Sequence, residues 1–503
     1  MKIVKTLVLL IAAGLLSQCA TVSNVAPGIK TPEQKLKKHI LEVLNAPDTD
    51  NAFWGCRIQK LSADKPFVAR NHGKCFMPAS NMKLFTTAAS LTRFGPDHTF
   101  KTPIYYRGVV QSDGVLRGDI IIRGKGDPAI SGRYRSGVET IEILDEWTDA
   151  VRNAGITSVD GNVIADDDYF TGGEIAGTWE NDDLFYWYTA PSSAISINDN
   201  LFQFYIRPAD SPGEKGVVDF NPGTHYITIE NDAVTTVSGA PNTIDFSRSL
   251  EGNLVRVYGE IPLDDSGERV RGCVYNPTLY SATLFAEALE RRGIRILGKP
   301  RDIDEYTGEE KERLRSGLEL IHKHESPPMS RILRIINKPS QNFYADMLLK
   351  NLGKSFGEEG SFDGGEEVVR DFLREAGAED AKNLQMIDGS GLSRWDFVQP
   401  RHTTALLKYM AASPYFEHFY DSLPIAGVDG TIGRRMTEPP AKGNVHAKTG
   451  FISHARALSG YVDDMNGDRW VFSLMCNHFT IPVSRIDAKI DSICTAIAEY
   501  SGK

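Results

Sequence analysis

The stretch "MPASNMKLFTTAASLTRFG", residues 77–95, places a serine and a lysine at the start of an apolar helix. Ser80 and Lys83 are three residues apart, so they lie on one face of that helix and the lysine amine can hydrogen-bond the seryl hydroxyl. Gly95-Pro96 predicts where the helix ends. A lysine is strongly hydrated, and its apolar neighbours here therefore require an explanation.

Those neighbours can make the lysine a base. A serine hydroxyl is a poor nucleophile until another group takes its proton. Burial lowers the pKa of a lysine towards neutrality, which lets its neutral amine accept that proton. The pattern is common by chance, and Ser62-Ala63-Asp64-Lys65 also matches it. That second match lies in a turn before Pro66 and has no apolar helix behind it, so we interpret Ser80 and Lys83 as the candidate pair.

A second motif is Lys448-Thr449-Gly450, within "HAKTGFIS". Lys448 supplies a cation and Thr449 a hydroxyl, which together suit a carboxylate. Gly450 allows the backbone to approach another segment closely. The backbone N–H of Phe451 is then a candidate oxyanion donor, together with that of Ser80. Taken alone, the tripeptide also fits an ordinary strand with a surface lysine.

A third motif is Ser340-Gln341-Asn342, within "NKPSQNFYADMLLKN". Ser196-Ile197-Asn198 matches the same Ser-x-Asn pattern. The first match precedes a predicted helix in the helical half of the chain, whereas the second lies in a strand-rich segment. We therefore favour Ser340 and Asn342.

Composition sets broad limits on the class of protein. The chain has 503 residues, 41% hydrophobic and 24% charged, which is typical of a globular protein of two or three domains. Its net charge of −10, without a basic block, makes nucleic acid an unexpected partner.

The sparse cysteines exclude a disulfide-built scaffold and have no zinc-type spacing. Cys56 and Cys75 are close enough to pair across a hairpin, whereas Cys476 and Cys494 fit buried small hydrophobes.

The N-terminus, "MKIVKTLVLLIAAGLLSQCATVSN", has two lysines and a short apolar run before small and polar residues. This pattern predicts a signal peptide at residues 1–18 and export to the periplasm or the outer cell surface. Cys19 stands where a lipoprotein carries its lipidated cysteine, but Gln18 replaces the usual small residue. Two alternatives therefore remain open: a lipid on Cys19, and ordinary signal-peptide cleavage nearby. The lipid is the one membrane attachment that the sequence predicts.

The patterning changes twice along the chain. Alternating runs with Gly, Asp and Asn at their turns predict a mostly β region at 98–276, interrupted by a helix at about Val138–Asn153. The charged stretch 301–315 is predicted to be a solvated linker or exposed loop. The second half carries predicted helices and then three strands, and the last predicted helix is Ile486–Glu499. The earlier predicted helices are Met329–Asn337, Asn342–Leu352, Gly364–Ala376 and Thr403–Ala412.

The order of the three motifs decides between the interpretations. Ser-x-x-Lys, then Ser-x-Asn, then Lys-Thr-Gly is the signature set of penicillin-binding proteins and serine β-lactamases. With "GDIIIRGKGDP", "APSSAISINDN", "MIDGSGLSR" and "LPIAGVDGTIGRR", the chain resembles the D-alanyl-D-alanine carboxypeptidase/endopeptidase family of low-molecular-mass penicillin-binding proteins (peptidase family S13, class C type). Far more residues separate Ser80 from Ser340 than separate these motifs in compact β-lactamases. The S13 family inserts extra domains between its first and second motifs, and the long segment here resembles that insertion.

The resemblance implies an α+β fold of the penicillin-binding-protein and serine β-lactamase type, with an antiparallel sheet flanked by helices. The catalytic domain would comprise residues 30–97 and 277–503. Residues 98–276 would form the inserted, mostly β region in two subdomains.

The resemblance also implies a role for each motif. Ser80 would be the acylated nucleophile and Lys83 its general base. Ser340 would relay protons to the leaving amine, and Asn342 would bind the peptide backbone of the substrate. The remaining implied residues bind the terminal carboxylate and the oxyanion: Lys448, Thr449, Gly450 and Phe451.

The implied activity is that of a serine DD-peptidase. Its substrates would be peptidoglycan stem peptides ending in D-Ala-D-Ala, or the D-peptide bonds of cross-links, and β-lactams would inhibit it. No metal or organic cofactor is expected. Phe451 departs from the hydroxyl residue that often follows Lys-Thr-Gly, which leaves the balance between carboxypeptidase and endopeptidase activity open. A β-lactamase or esterase on the same core, and a non-catalytic cell-wall binding protein, are the alternatives.

Overall fold

The computed structural model describes residues 31–134 and 139–502. The predicted signal peptide and Cys19 lie outside these residues. Within them, no helix combines the length and the apolar character that crossing a membrane requires.

Eleven α-helices are present in the described residues. In chain order they are α1 (Pro32–Leu44), α2 (Met82–Phe94), α3 (Thr140–Asn153), α4 (Pro277–Arg291), α5 (Gly308–Leu314), α6 (Met329–Asn337), α7 (Asn342–Phe356), α8 (Phe362–Glu375), α9 (Pro400–Ala411), α10 (Phe416–Ser422) and α11 (Val483–Ala498). The predicted helices of the second half are therefore found, with ends that differ by a few residues.

The strands of the described residues are, in chain order, β1 (Phe53–Lys60), β2 (Val68–Arg70), β3 (Lys101–Val110), β4 (Val115–Arg123), β5 (Ser158–Asp160), β6 (Val163–Asp166), β7 (Leu201–Arg207), β8 (Val217–Asn221), β9 (Thr228–Asn231), β10 (Val234–Thr236), β11 (Asp245–Arg248), β12 (Leu254–Tyr258), β13 (Glu260–Pro262), β14 (Glu268–Cys273), β15 (Arg295–Ile296), β16 (Pro300–Asp302), β17 (Leu318–Glu325), β18 (His446–Ile452), β19 (Ala455–Asp463) and β20 (Arg469–Asn477).

A five-stranded antiparallel sheet joins the two ends of the chain, in the order β18-β19-β20-β1-β2. Side chains of α1 and α11 share one hydrophobic cluster with strands of this sheet, such as Ile40 and Ile490 with Phe472. A second cluster contains side chains of α2 and α7 together with Val471. Successive strand residues point to opposite faces, so helices cover both faces of the sheet. This arrangement confirms the predicted α+β fold class.

The intervening region forms a separate sheet, in the order β15-β5-β4-β3-β17, with β6 paired to β4 and β16. Smaller sheets, β14-β7-β8, β11-β12-β9 and β10-β13, follow the mostly β pattern expected there. Because β17 pairs with β3 as far as Glu325 opposite Lys101, the pairing favours an end of the insertion near Glu325 rather than at Asn276. The predicted domain limits themselves stay a prediction.

The charged stretch 301–315 is not a simple loop, and that prediction is wrong. It contains α5, whose first turn is fixed by a capping box between Thr307 and Glu310. Arg315, at the end of the stretch, donates to both carboxylate oxygens of Asp166 at 2.9 and 2.7 Å. Arg315 therefore joins the end of this stretch to strand β6.

The five cysteines within the described residues are free thiols. Cys56 is buried in β1, whereas Cys75 is exposed, so the hairpin pairing considered from the sequence is not formed. Cys476 and Cys494 are buried among apolar side chains, as predicted.

Candidate active site

Ser80 lies in a 3₁₀ turn, Ala79–Asn81, that leads directly into α2. This turn packs against β18, where the Asn81 side-chain amide donates to the Lys448 carbonyl at 2.9 Å. A β-carbon placed on Gly450 would lie 2.3 Å from the Pro78 carbonyl oxygen. Glycine is therefore the residue that lets β18 approach the serine so closely.

Lys83 is fully buried, and its Nζ lies 2.9 Å from Ser80 Oγ. The same nitrogen donates to Asn342 Oδ1 at 2.7 Å and to the Ser390 carbonyl at 2.6 Å. A side-chain amide oxygen and a backbone carbonyl can only accept. Two N–H bonds of Lys83 are thus committed, and the lone pair of the neutral amine would point towards the Ser80 hydroxyl.

Burial lowers the pKa of Lys83 to about 8, although nearby aspartates oppose the shift. Two of them, Asp346 and Asp396, are themselves fully buried, and that burial raises their pKa values well above the usual range. Their tendency to be neutral limits the charge that would otherwise keep Lys83 protonated. The apolar residues around Lys83 therefore lower its pKa, as a lysine that acts as a base requires.

The Ser-x-Asn motif is hydrogen-bonded to both buried lysines, Ser340 to Lys448 and Asn342 to Lys83. Lys448 Nζ donates to Ser340 Oγ at 2.8 Å, and Ser340 adopts the left-handed backbone region with φ of +65°. Burial, helped by the charge of Lys83, lowers the pKa of Lys448 well below its usual value. Asn342 donates through Nδ2 to the Tyr188 carbonyl at 2.9 Å, so its amide already has a partner on each side.

Thr449 and Phe451, the residues expected to bind the terminal carboxylate and the oxyanion, have neighbours that the sequence did not indicate. Thr449 Oγ1 lies 2.7 Å from Thr431 Oγ1, a hydroxyl that the motif search missed. Phe451 lies on the same strand face as Thr449, and its side chain is half exposed. The guanidinium of Arg456 stacks over its ring at 5.4 Å, and Asp487 holds that guanidinium through two hydrogen bonds of 2.7 Å.

The loop at 388–394 also contributes to the site, through its backbone. Asp388 is fully buried and accepts the backbone N–H groups of Ser390 at 3.0 Å and Ser393 at 2.8 Å. It also accepts the indole N–H of Trp179 at 2.8 Å. These bonds orient the loop so that the Ser390 carbonyl faces Lys83. An aspartate followed by Gly-Ser-Gly is the sequence signal for such a turn.

One acidic group in the described part of the chain has carboxylates close enough to hold a metal ion: Asp167, Asp168 and Asp304. These residues follow strands β6 and β16, and none of them hydrogen-bonds Ser80, Lys83 or Lys448. Lys311 pairs with both Asp168 and Asp304, and Arg315 pairs with Asp168. Most of its charge is thus compensated by the protein itself.

The sequence profile of the family described as D-Ala-D-Ala carboxypeptidase 3 (S13) matches residues 36–497. The chain belongs to this family. It is 32% identical over 485 residues to the D-alanyl-D-alanine carboxypeptidase of Actinomadura sp. (strain R39), covering 93% of this chain and 85% of that protein. It is 27% identical over 440 residues to the D-alanyl-D-alanine carboxypeptidase DacB of Haemophilus influenzae, covering 84% of this chain and 85% of that protein.

A solved structure shows the same fold. Penicillin binding protein 4 (dacB) of Haemophilus influenzae superposes with a TM-score of 0.79 at 23% identity, covering 92% of this chain and 99% of that one. Family membership makes this chain an enzyme of the serine-type D-Ala-D-Ala carboxypeptidase class, which confirms the function predicted from the order of the three motifs.

Proposed function

We propose that Ser80 is the nucleophile of a DD-peptidase that cleaves the D-Ala-D-Ala ends of peptidoglycan stem peptides, or the D-peptide bonds of cross-links. One observation carries the assignment of the site: a fully buried lysine lies 2.9 Å from the seryl oxygen. Its lowered pKa, about 8, gives it a substantial neutral fraction near physiological pH.

Acylation begins with proton transfer from Ser80 Oγ to the neutral amine of Lys83. The seryl oxygen attacks the carbonyl carbon of the penultimate D-alanine, and the carbonyl electrons move to its oxygen. The backbone N–H groups of Ser80 and Phe451 would stabilise that oxyanion. Both belong to segments that Gly450 brings into contact.

Collapse of the tetrahedral intermediate expels the terminal amine, which must receive a proton as the C–N bond breaks. Ser340 would deliver it, because its hydroxyl is held by Lys448 and can pass on a proton while gaining another. Ser340 would be reprotonated by the proton that Lys83 took from Ser80, which leaves Lys83 neutral again. Water then attacks the acyl-enzyme and gives a proton to Lys83, and Lys83 passes that proton to Ser80 Oγ as the shortened peptide leaves.

The other motif residues would bind the substrate. Lys448 and Thr449 would hold the terminal carboxylate, with the Thr431 hydroxyl beside them. Asn342 has one N–H left after its bond to Tyr188, and that group would contact the peptide backbone of the substrate. The mechanism uses no metal or organic cofactor.

A β-lactam would acylate Ser80 in the same way, because its strained amide presents an equivalent carbonyl to the nucleophile. The penicillin binding protein 4 of Haemophilus influenzae has been solved in complex with a β-lactam. We therefore expect penicillins to be stable acylating inhibitors of this enzyme.

Export to the cell wall compartment follows from this substrate class. A lipid on Cys19 remains one of two forms of the mature N-terminus. Mass spectrometry of the purified mature protein separates them: a diacylglycerol mass on Cys19 establishes the anchor, and a free amine at or beyond Ala20 excludes it.

The nucleophile is tested with fluorescent penicillin. The wild type should become covalently labelled and Ser80→Ala should not. Ser62→Ala is the matched control, because Ser62 belongs to the other Ser-x-x-Lys sequence and should label normally. Unchanged labelling of Ser80→Ala would contradict the proposal, and rapid release of hydrolysed penicillin would favour the β-lactamase alternative.

The substrate is tested with purified muropeptides. Release of D-alanine from uncross-linked muropeptides reports carboxypeptidase activity, and conversion of cross-linked dimers to monomers reports endopeptidase activity. Binding of peptidoglycan without either product would support the non-catalytic alternative.

A further inference from the structure

The segment Asn198-Asp199-Asn200 has an unusual backbone. Its three residues have φ values of 59°, 56° and 56°, all in the left-handed region, although none is glycine. Asn and Asp visit this region mostly as single residues. Side-chain amides close the turn, because Asn198 donates to the Leu201 carbonyl and Asn200 to the Pro191 carbonyl, both at 2.8 Å. Such a conformation persists where the surrounding contacts impose it.

The turn presents Asp199 to the catalytic domain. This carboxylate is 1% exposed and accepts Arg133 Nε at 2.7 Å. Its other oxygen accepts the Tyr344 hydroxyl at 3.2 Å. Tyr344 lies in the first turn of α7, two residues beyond Asn342. A residue of the insertion is thereby bound to the helix that begins at the Ser-x-Asn motif.

Two further contacts reach the same helix start. The Tyr134 ring packs edge-on to the Tyr344 ring at 5.8 Å, and its hydroxyl oxygen accepts Gln341 Nε2 at 3.4 Å. The Tyr188 carbonyl accepts Asn342 Nδ2 at 2.9 Å. We call Tyr134, Tyr188 and Asp199 the clasp.

We propose that the clasp positions the start of α7, so that Ser340 and Asn342 meet Lys448 and Lys83 in reactive geometry. The insertion is then a working part of the catalytic apparatus. The clasp residues are positioning residues, since they reach the reacting atoms only through Gln341, Asn342 and Tyr344. This inference rests on the roles proposed above for Ser340 and Asn342.

The position of Ser340 explains why such a device is needed. Its φ of +65° is costly for a serine, so the segment before α7 would relax without support from both sides. Lys448 holds it on one side through the 2.8 Å bond. The clasp holds the other side, where Gln341 and Asn342 would otherwise turn towards water.

Asp199 is suited to a rigid contact because its charge is buried with a partner. Burial raises the pKa of its carboxyl, and the Arg133 guanidinium opposes that shift. An ionised Asp199 accepts hydrogen bonds only, which fixes the direction of the Tyr344 hydroxyl.

The first test is Tyr344→Phe, which removes only the hydroxyl that Asp199 binds. Tyr461→Phe is the matched control, because Tyr461 is also fully buried and its hydroxyl donates to the Leu407 carbonyl at 2.7 Å. We expect Tyr344→Phe to lower the acylation rate constant with fluorescent penicillin about tenfold, within the roughly 10²-fold that a small misplacement can cost. For a D-Ala-D-Ala peptide, kcat should fall more than KM rises, because Lys448 and Thr449 would still hold the terminal carboxylate and only the contact of Asn342 with the substrate backbone is weakened.

Melting temperatures separate positioning from folding. Both variants lose one buried hydrogen bond, so similar decreases in melting temperature are expected, with the loss of rate confined to Tyr344→Phe. Equal acylation rates in Tyr344→Phe and wild type would overturn the proposal.

A second variant, Asp199→Asn, keeps the side-chain shape and the tolerance of the left-handed region but removes the charge. In the double mutant, the loss of activation free energy should be smaller than the sum of the losses in the two single mutants, because both substitutions weaken the same contact between Asp199 and Tyr344. Additive losses would contradict the clasp. If the wild type itself fails to label at Ser80 or to release D-alanine, the proposed function fails. A functional wild type with an equally fast Tyr344→Phe refutes the clasp alone.

Discussion

The side-chain nitrogen of Lys448 lies 2.8 Å from the hydroxyl oxygen of Ser340, although the two residues are 108 positions apart in the chain. Lys448 is fully buried and its pKa is lowered, in part by the charge of Lys83. Ser340 is thus held by strand β18 just before α7, where Asn342 binds the other lysine of the site, Lys83. This placement makes its hydroxyl available to transfer a proton.

Replacement of Ser340 by alanine should slow acylation without unfolding the protein. Because proton transfer by a positioned group contributes about 10²- to 10⁴-fold to a rate, we expect acylation by fluorescent penicillin to fall by at least about 10²-fold. The melting temperature should stay within a few degrees of the wild type, since Ser340 is only partly buried. An acylation rate within twofold of the wild type would show that Ser340 relays no proton.

The pH profile of acylation should report Lys83. Its neutral form is the proposed base, and burial lowers its pKa to about 8, so the rate should rise with pH and level off above about pH 8. At pH 6 the neutral fraction is about one hundredth of its plateau value for that pKa, and the rate should fall in proportion. Stopped-flow labelling from pH 6 to pH 9, with circular dichroism as the control for folding, measures this. A flat profile would exclude Lys83 as the base.

The three motifs were predictable because each carries a local chemical signal. Ser80, Ser340 and Lys448 lie far apart in the chain, yet the order of their motifs indicated one fold and one site. The buried lysine was also predictable, because apolar residues surround Lys83 in the sequence itself. These features depend on residue type and helical spacing, which a sequence records directly.

Other parts of the site depend on tertiary contacts that leave little local trace. Ser390 contacts Lys83 through its carbonyl, which every residue possesses. Thr431 lies beside Thr449 because the turn Gly430–Ile432 packs against β18. The pairing of β17 with β3 joins segments about 200 residues apart, and strand propensity alone does not indicate it. Helix α5 was missed because its charges mimic a solvated loop.

The glycine of Lys-Thr-Gly provides a steric prediction. A β-carbon on Gly450 would lie 2.3 Å from the Pro78 carbonyl oxygen, so Gly450→Ala must push β18 away from the Ser80 turn. A displacement of about 1 Å can cost about 10²-fold in rate, and we expect a loss of that size in acylation. Gly223→Ala is the control, because a β-carbon there meets open space. Equal rates for the two variants would contradict the steric argument.

The hydroxyl of Thr431 should contribute to substrate binding. It lies 2.7 Å from the Thr449 hydroxyl, at the end of the site where the terminal carboxylate would bind. Because a hydrogen bond to a charged group contributes about 1.5–3 kcal/mol, Thr431→Val should raise KM for a D-Ala-D-Ala peptide by about 10- to 100-fold. Thr431→Ser should restore most of the affinity. Unchanged KM in Thr431→Val would place the carboxylate elsewhere.

Asp388 is expected to support the site through folding rather than through chemistry. Its Oδ2 accepts both the Ser393 backbone N–H and the Trp179 indole N–H, each at 2.8 Å. In Asp388→Asn, an amide NH₂ at that position would face two donors. If the amide reverses, the NH₂ group would face the backbone N–H of Ser390 instead. Either orientation leaves buried donors without an acceptor.

Asp388→Asn should therefore lower the free energy of unfolding by about 2–4 kcal/mol, since each unsatisfied buried donor costs about 1–3 kcal/mol. Urea unfolding measures this loss, with Asp113→Asn as the control because Asp113 is an exposed aspartate that accepts one backbone N–H. Acylation should also slow, because the Ser390 carbonyl that binds Lys83 belongs to the same loop. A slower Asp388→Asn with unchanged unfolding free energy would instead indicate that Asp388 takes part in the chemistry.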